Sequence, residues 1–533
     1  MSYAAQVSSA GGFDQAKSVQ ASANANREDW GQHNPEPLWF FLVLLFTVAA
    51  FLYLALFAYP NIPFLQAGDQ MYFWVGAQRV LFGEHIYSDF LQFTPPGTDL
   101  IYLTFLKMLG PRIWLPNLVN ILLGVALCAF CFRIARHIME RWMAVLATSL
   151  FLVLTYASSL NGTHHWFSLL AIAGAIDVMM WGPTNATRTT LAGALLGVAS
   201  FFTQTHGAFA LLGLSLFLVW EANHRTGSRK IIERLSCVVL GFSIALGALS
   251  AYFVATVGWR QLWYFQVTYT GKYVAYGQHP LFFGILPTWH NLPLLTQFVF
   301  VLTGLPIAYA LVLWRGRRGP VNGSRPLLLL SLVGLSLWVE VCFSANYLRL
   351  YAVGMPGLIL MLWMCDRSGR ARGYAIALLL TGIIGLGVHE IQARHHKNSV
   401  IADLPTGRVA LPAEANEKLS WLMQHTHPGQ FVFQATAPML YFPLQLRNPV
   451  FLNEITENES TRPADVERVI HELDGKEVEF VLWSPYNNYP DPEFPSSYHL
   501  KPLRDYLETH YHRVHIFSDE DETWQRISDR QLY

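Results

Sequence analysis

From Leu38 onward the chain is a succession of apolar runs separated by short polar breaks. A helix that crosses a bilayer needs roughly 20 apolar residues, and roughly 17 still suffice. Eleven stretches meet that rule: 38–60, 113–132, 142–158, 164–181, 189–204, 207–221, 236–257, 291–314, 326–343, 350–365 and 373–389. The third, fifth, sixth and tenth are short or interrupted by glycine. After His389 the pattern changes: helix-like segments ("PAEANEKLSWLMQHT", "RPADVERVIHELDG") alternate with short strand-like runs ("FVFQA", "PVFLNE", "EVEFVLWS", "YHRVHIF", "TWQRI"). Such alternation predicts a small α/β unit. The expected fold class is a polytopic α-helical membrane protein with about 11 transmembrane helices over 38–389 and a C-terminal α/β domain over 390–533. Residues 1–37, rich in Ala, Ser, Gln and Asn, lack the basic region, short apolar stretch and cleavage site of a signal peptide. They read as a disordered cytoplasmic tail, with the first apolar run as an uncleaved anchor.

Charge gives the expected orientation. Only 14% of the 533 residues are charged, against roughly a quarter in a soluble domain. The formal net charge is zero, so nothing points to nucleic acid. Positive side chains are held on the cytoplasmic side of a membrane. With the N-terminus inside, the cytoplasmic loops collect arginine clusters such as Arg133, Arg136 and Arg141, or Arg315, Arg317, Arg318 and Arg325. The opposite loops hold only Arg79, Lys107, Arg112, Arg260, Lys272 and Arg349. It follows that the first loop, 61–112, the loop 258–290 and the whole tail after His389 face the exoplasmic side. The five cysteines all lie in apolar runs; no disulfide framework is implied, and the C-x-x-C of Cys128 and Cys131 reads as packing.

Between the first spans lies "AGDQMYFWVGAQRVLFGEHIYSDFLQFTPPGT", Ala67 to Thr98, too polar to cross a bilayer and too aromatic for a slack loop. As a helix, Met71 to Phe82 is apolar on nearly every side, which predicts an element lying in the membrane interface with its rings at headgroup depth. Asp69 at its start has two readings. It is a helix N-cap, or a catalytic carboxylate held at the boundary between water and lipid. Further on, Asp89 precedes "FLQFTPPGT", where Pro95 and Pro96 forbid helix locally and hold Thr94 extended.

The order "GDQMYFWVGAQRVLFGEHIYSDFLQFTPPGTDLIY" resembles the first exoplasmic loop of the GT-C-type membrane glycosyltransferases, in the branch of the dolichyl-phosphate-mannose protein mannosyltransferases and bacterial lipid A aminoarabinose transferases. In that family an acidic residue follows the first span, then come an aromatic, an amphipathic helix, and an Asp or Tyr leading to a Pro-Pro pair; Asp69, Tyr72, Asp89, Pro95 and Pro96 occupy those places. The "FFTQTHG" hairpin, the "NYLRLYAVGMPGLIL" segment and the C-terminal "HPGQFVFQATAPMLYFPLQLRNP" extend the likeness over most of the chain. One departure stands out: many members carry Lys before the two prolines, and here Thr94 stands there.

The resemblance implies transfer of one sugar from a polyprenyl-phosphate carrier to a lipid, glycan or protein acceptor on the exoplasmic side, with inversion. Such a displacement needs a base at the acceptor hydroxyl and a cation at the departing phosphate. Asp69 is the candidate base. Arg349, in "SANYLRLY", is the candidate phosphate partner or an interfacial anchor. Lys272 sits among tyrosines able to stack on a sugar ring. Gln204 and His206, at the tip of a hairpin of short spans, line a cavity or form a satisfied network. Glu340, inside an apolar span near its outer end, is functional by default. His164 and His165 are adjacent and point in different directions, which makes them poor joint metal ligands. No protein-defined metal site is expected, although a divalent cation (Mg or Mn) between Asp69, Asp89 and the donor phosphate is compatible with the residues. The localisation expected is the bacterial inner membrane. A transporter, or an inactive scaffold of the same architecture, is the rival class; no repeat relates two halves of the chain, which weighs against the transporter.

Overall fold

The computed structural model describes residues 36–58, 60–223, 229–272, 292–317, 324–342, 347–455, 461–488 and 499–527. The expected disordered tail, most of the tyrosine-rich half of the 258–290 loop and the residues 343–346 lie outside these.

In hydrocarbon each backbone N–H and C=O must find its partner within the segment, so apolar runs of this length have to be helices. All eleven are helical: α1 (Leu38–Leu56), α4 (Leu115–Arg136), α5 (Arg141–Leu150), α6 (His164–Met180), α7 (Ala186–Phe202), α8 (Gln204–Glu221), α9 (Arg229–Val257), α11 (Leu292–Arg317), α12 (Ser324–Cys342), α14 (Met355–Asp366) and α15 (Arg372–Lys397). Seven of them, counting α5 with its continuation to Ser159, are long and apolar enough to cross a membrane, and α6 and α14 are shorter apolar helices. Between these run α2 (Gln70–Leu81) and α3 (Gly97–Leu109) in the first loop, α10 (Trp259–Trp263), and α13 (Tyr347–Ala352). Close helix approach is bought with glycine. A Cβ on Gly193 of α7 would stand 2.1 Å from the Val238 carbonyl of α9, and one on Gly241 of α9 would stand 2.1 Å from that of Thr190, the small-residue seam expected of helices packing in lipid.

Arginines gather at one end of the bundle, and five of them pair with acids. Arg133 pairs with Asp177 at 2.8 Å, Arg136 and Arg141 share Glu36, and Arg325 and Arg234 converge on the buried Glu221. The opposite end carries the first loop and the strands.

Those strands are β1 (Val400–Leu404) and β2 (Gly407–Leu411), an antiparallel hairpin, then β3 (Val432–Gln434), β4 (Phe480–Trp483), β5 (Tyr511–Ile516) and β6 (Glu522–Arg526). The last four form one sheet in the order β3-β4-β6-β5, parallel between β3 and β4 and antiparallel elsewhere. Helices α16 (Ala413–His425), α17 (Pro463–Gly475) and α18 (Lys501–His510) accompany it. Val432, Phe433, Val481, Trp483, Val469, Leu473, Leu503 and Leu507 are buried in its core.

Three expectations need correction. "PVFLNE" is not a strand: its Phe451 carbonyl accepts from Leu91 N–H in the first loop at 2.9 Å, so it serves as a strap between units. The tenth run breaks at Gly354 into α13 and α14. Most consequentially, α2 does not lie on a lipid surface. Met71, Phe73 and Trp74 are 2%, 2% and 0% exposed, and Trp74 stacks on Tyr102 of α3 at 4.3 Å and meets Phe442 at 5.0 Å. A helix apolar on nearly every side is covered by protein on nearly every side.

Candidate active site

The strand-bearing unit closes over the first loop through backbone and side-chain bonds. Leu65 N–H donates to Ala410 O at 2.8 Å and Ile113 N–H to Thr406 O at 3.0 Å, while Gln78 Nε2 donates to Leu446 O at 3.2 Å. Arg79 is the buried pin: Nε reaches Glu84 at 2.7 Å, Nη1 reaches Asn453 Oδ1 at 2.9 Å, and the guanidinium lies 4.7 Å from the Phe90 ring centre. The site lies where α2 begins under this cover.

The start of α2 is capped from outside. Asn161 Oδ1 accepts from Gln70 N–H at 2.9 Å, and Gln70 in turn donates to Gln66 at 3.0 Å and accepts from Asn120 at 3.1 Å and from the Gly162 N–H at 3.1 Å. Asp69 makes no side-chain cap bond. Its bland reading as the N-cap therefore fails: the Met71 and Tyr72 N–H groups that a cap side chain would serve donate to the Gly68 and Asp69 carbonyls, and Asn161 takes the Gln70 N–H. Gly68 turns the chain into this position with φ +84°, and a Cβ there would stand 3.3 Å from Asn161 Nδ2, so both conformation and space favour glycine.

Asp69 is solvent-exposed, yet the protein crowded around it raises its carboxyl above the usual value. It acts through space on Tyr347 of α13 and on Glu454 of the strap. Burial, and then the Asp69 charge, push Glu454 up to about 7. Glu454 was not legible as a site residue: nothing in "LNEITENES" marks it, and only the strap's bonds to Leu91 and Arg79 carry it to Asp69. Tyr72, partly buried, lies one turn along α2 with its N–H on the Asp69 carbonyl at 3.2 Å.

Deeper in, a second cluster gathers at the ends of α6, α8 and α12. The His164 and His165 rings are 3.9 Å apart, His165 and His206 5.0 Å, and Phe73 of α2 touches His164 at 5.4 Å. The adjacent histidines thus join one cluster after all, with their rings tilted against one another. His206 Nδ1 is 2.7 Å from Ser168 Oγ, His206 Nε2 is 3.4 Å from Glu340 Oε2, and the Thr205 hydroxyl donates to Glu340 Oε1 at 2.6 Å. Arg349, half-buried on α13, lies within electrostatic range of all four groups. Of the sequence candidates, Asp69 and Tyr72 therefore stand at the mouth, and His206, Glu340 and Arg349 form this inner group.

The remaining candidates stand apart from these. Asp89 is exposed and accepts from His85 N–H at 2.7 Å, with the His85 ring at 3.1 Å. Asp89 is thus engaged with His85, and among the described residues no three His, Cys, Asp or Glu side chains are grouped to hold a metal. Gln204 donates to Gln266 O at 2.8 Å, and Gln266 donates to the Tyr87 hydroxyl at 3.0 Å; this tie fastens the 259–270 segment to the first loop. Lys272 is exposed at the end of that segment, and its tyrosine neighbours Tyr273 and Tyr276 lie outside the described residues. Pro96 precedes α3, and the Thr94 carbonyl accepts from Tyr87 at 2.8 Å. The Thr94 side chain is 4% exposed, so it faces the interior.

No protein-family model and no curated protein sequence matches the chain. Solved structures do. ArnT from Cupriavidus metallidurans bound to undecaprenyl phosphate superposes with a TM-score of 0.61 at 14% identity, over 92% of this chain and 99% of that one. The apo state of the same protein gives 0.59 at 15% identity, over 91% and 98%. The arabinofuranosyltransferase AftD from Mycobacteria gives 0.50 at 16% identity, over 93% of this chain and 42% of its own. These likenesses, which cover more than nine-tenths of the chain, give it the fold of the GT-C-type membrane glycosyltransferases.

Proposed function

We propose that this integral membrane protein transfers a sugar from a polyprenyl-phosphate donor to an acceptor at the exoplasmic face of a bacterial inner membrane, by a single inverting displacement. The observation that carries the reading is Asp69: its helix is capped by Asn161, and its carboxylate is left at the mouth of the site beside Glu454 and Tyr347. The likeness to an ArnT structure that holds undecaprenyl phosphate supports the donor class.

In this mechanism the acceptor oxygen attacks the anomeric carbon while the bond from that carbon to the phosphate oxygen breaks. The acceptor's proton passes to Asp69, and the bonding electrons leave on the phosphate. An unperturbed Asp has a pKa of roughly 3.9 and is a weak base. Crowding raises Asp69, which strengthens it. Glu454, pushed up to about 7 by burial and then by the Asp69 charge, keeps a proton up to near neutrality. Arg349, half-buried on α13, supplies positive charge where the phosphate departs. In this reading an odd number of crossings with the N-terminus inside puts α2, the strap and the sheet on the exoplasmic side together.

The test is sugar transfer, or slow donor hydrolysis, by purified protein in nanodiscs offered a panel of radiolabelled polyprenyl-phosphate sugars. Asp69→Asn is expected to lower turnover about 100-fold or more with folding intact. Equal turnover in both proteins removes Asp69 from the chemistry, and no turnover with any donor returns the chain to the transporter and scaffold classes.

A further inference from the structure

The segment that follows α9 has two faces of opposite character. α10 continues into a π-turn, Tyr264–Tyr269. Leu262 and Phe265 are buried on one side, and Phe265 packs on Tyr87 and Phe451 at 5.8 and 6.1 Å. On the other side Trp259 and Trp263, one helical turn apart with their ring centres at 5.7 Å, are 61% and 51% exposed, and the exposed Val267 joins them a turn further on. Two adjacent bare indoles and a valine make a patch that water solvates poorly. At the boundary of a bilayer the same rings sit well, with the apolar body in lipid and the N–H at the headgroups. The stretch 259–272 also holds Arg260 and Lys272, both exposed, and no acidic residue, a charge that suits the phosphate of a phospholipid headgroup.

Chain continuity fixes the depth of this face. The uncharged stretch 235–257 of α9, at about 1.5 Å per residue, is about 34 Å long against roughly 30 Å of hydrocarbon. Val257 therefore ends at the rim of the apolar layer. Trp259 follows it across Gly258, which turns the chain with φ +81°, and two residues of chain reach no further than about 7 Å. We propose that the face of Trp259, Trp263 and Val267 rests in the phospholipid headgroup layer on the side of the first loop, and that this seat holds the first loop in place. The interfacial role expected of α2 then falls to α10 and its continuation. The link to the loop is direct: Gln261 Nε2 donates to Tyr87 O at 3.3 Å, Gln266 Nε2 to the Tyr87 hydroxyl at 3.0 Å, and the Thr270 hydroxyl to Phe93 O at 2.7 Å. Tyr87 stands at φ +71°, a left-handed conformation that a bulky residue keeps only where its surroundings impose it. The 259–270 segment supplies two of the bonds that do so. Neither the lipid contact nor these bonds depend on which reaction the site performs.

The occupant of the face is read by photochemical capture. The full chain is placed in nanodiscs of phosphatidylcholine and phosphatidylglycerol with Trp263, and in a second protein Trp259, replaced by photoreactive p-benzoylphenylalanine. Tyr486, exposed on the strand-bearing unit, carries the same group in the control. Irradiation is expected to give phospholipid adducts at 263 and 259 and none at 486. Capture of residues 273–291 or of a second copy of the chain in place of lipid, no adduct at either tryptophan position, or equal lipid adducts at 486 each overturn the lipid contact. The seat is read by hydrogen exchange in the same nanodiscs. Trp259→Ser combined with Trp263→Ser is expected to speed amide exchange across residues 85–96 about tenfold, with β4 unchanged. Unchanged exchange across 85–96 overturns the support of the first loop, while the adducts still decide the lipid contact. Exchange that quickens equally in β4 reports general loosening and overturns that support as well.

Discussion

Asp99 shows how far burial can take one carboxyl. It lies in the first turn of α3 with no exposed surface; Oδ1 accepts from Gln92 at 2.9 Å and Oδ2 has no partner. Burial pushes it up to about 8, against roughly 3.9 in an unfolded chain. Between those values the folded chain binds the extra proton, so stability falls as pH rises. The neutral carboxyl's contribution is complete below about pH 4 and is lost progressively up to about pH 8. Asp99→Asn is expected to flatten the thermal unfolding midpoint across that window while leaving the acid end unchanged; a wild-type slope in the variant assigns the pH dependence elsewhere. The contrast between carboxylates also explains what could be read beforehand. Asp69 was legible because it directly follows the first apolar run. Asp99 and Glu454 were not, because burial is what chiefly raises both, with the Asp69 charge adding to it at Glu454, and burial is supplied only by folding.

At the scale of elements, the helical runs were readable because hydrocarbon leaves the backbone no other choice, and each boundary fell within a few residues of its run except where α9 and α15 continue into polar sequence. The hairpin β1-β2 and helix α18 are not legible in the sequence: "VIADLPTGRVAL" is short, and its pairing is set by the Pro405-Thr406 turn instead of by a long alternation. α3 escaped because two prolines mask its start. The placement of α2 was misread for a physical reason, since an apolar helix cannot declare from its own residues whether lipid or protein will cover it. Its cap yields a prediction. Asn161→Ala should cost about 1 kcal/mol and leave the Gln70 N–H next to Asp69 without its acceptor, which loosens the chain that presents the carboxylate, so transfer falls further than stability does. Asn161→Asp, which keeps the acceptor, should retain the midpoint of thermal unfolding. Full transfer by the alanine variant would show that the external cap has no bearing on Asp69.

Taken as a whole, the molecule hangs its strand-bearing unit on the first loop through Arg79, which is 3% exposed. Removing one partner of a buried ion pair strands the other, at a cost of about 3–5 kcal/mol. Arg79→Ala is expected to lower the unfolding midpoint and to expose the segment between the strap and β4 to protease, because Asn453 and Glu84 lose their common tie. Wild-type protease resistance would mean that the backbone bonds of Leu65, Leu91 and Ile113 hold the unit alone. The same arrangement has a temporal consequence. Gln78 waits for an acceptor 368 residues further along the chain, and Trp74 waits for Phe442. At a synthesis rate of about 5–20 residues per second, that delay is roughly 20 to 70 seconds. For that interval a greasy helix stands bare outside the bundle, and a ribosome that stops early releases a product whose first loop never receives its roof, so an incomplete copy is silent and open to degradation.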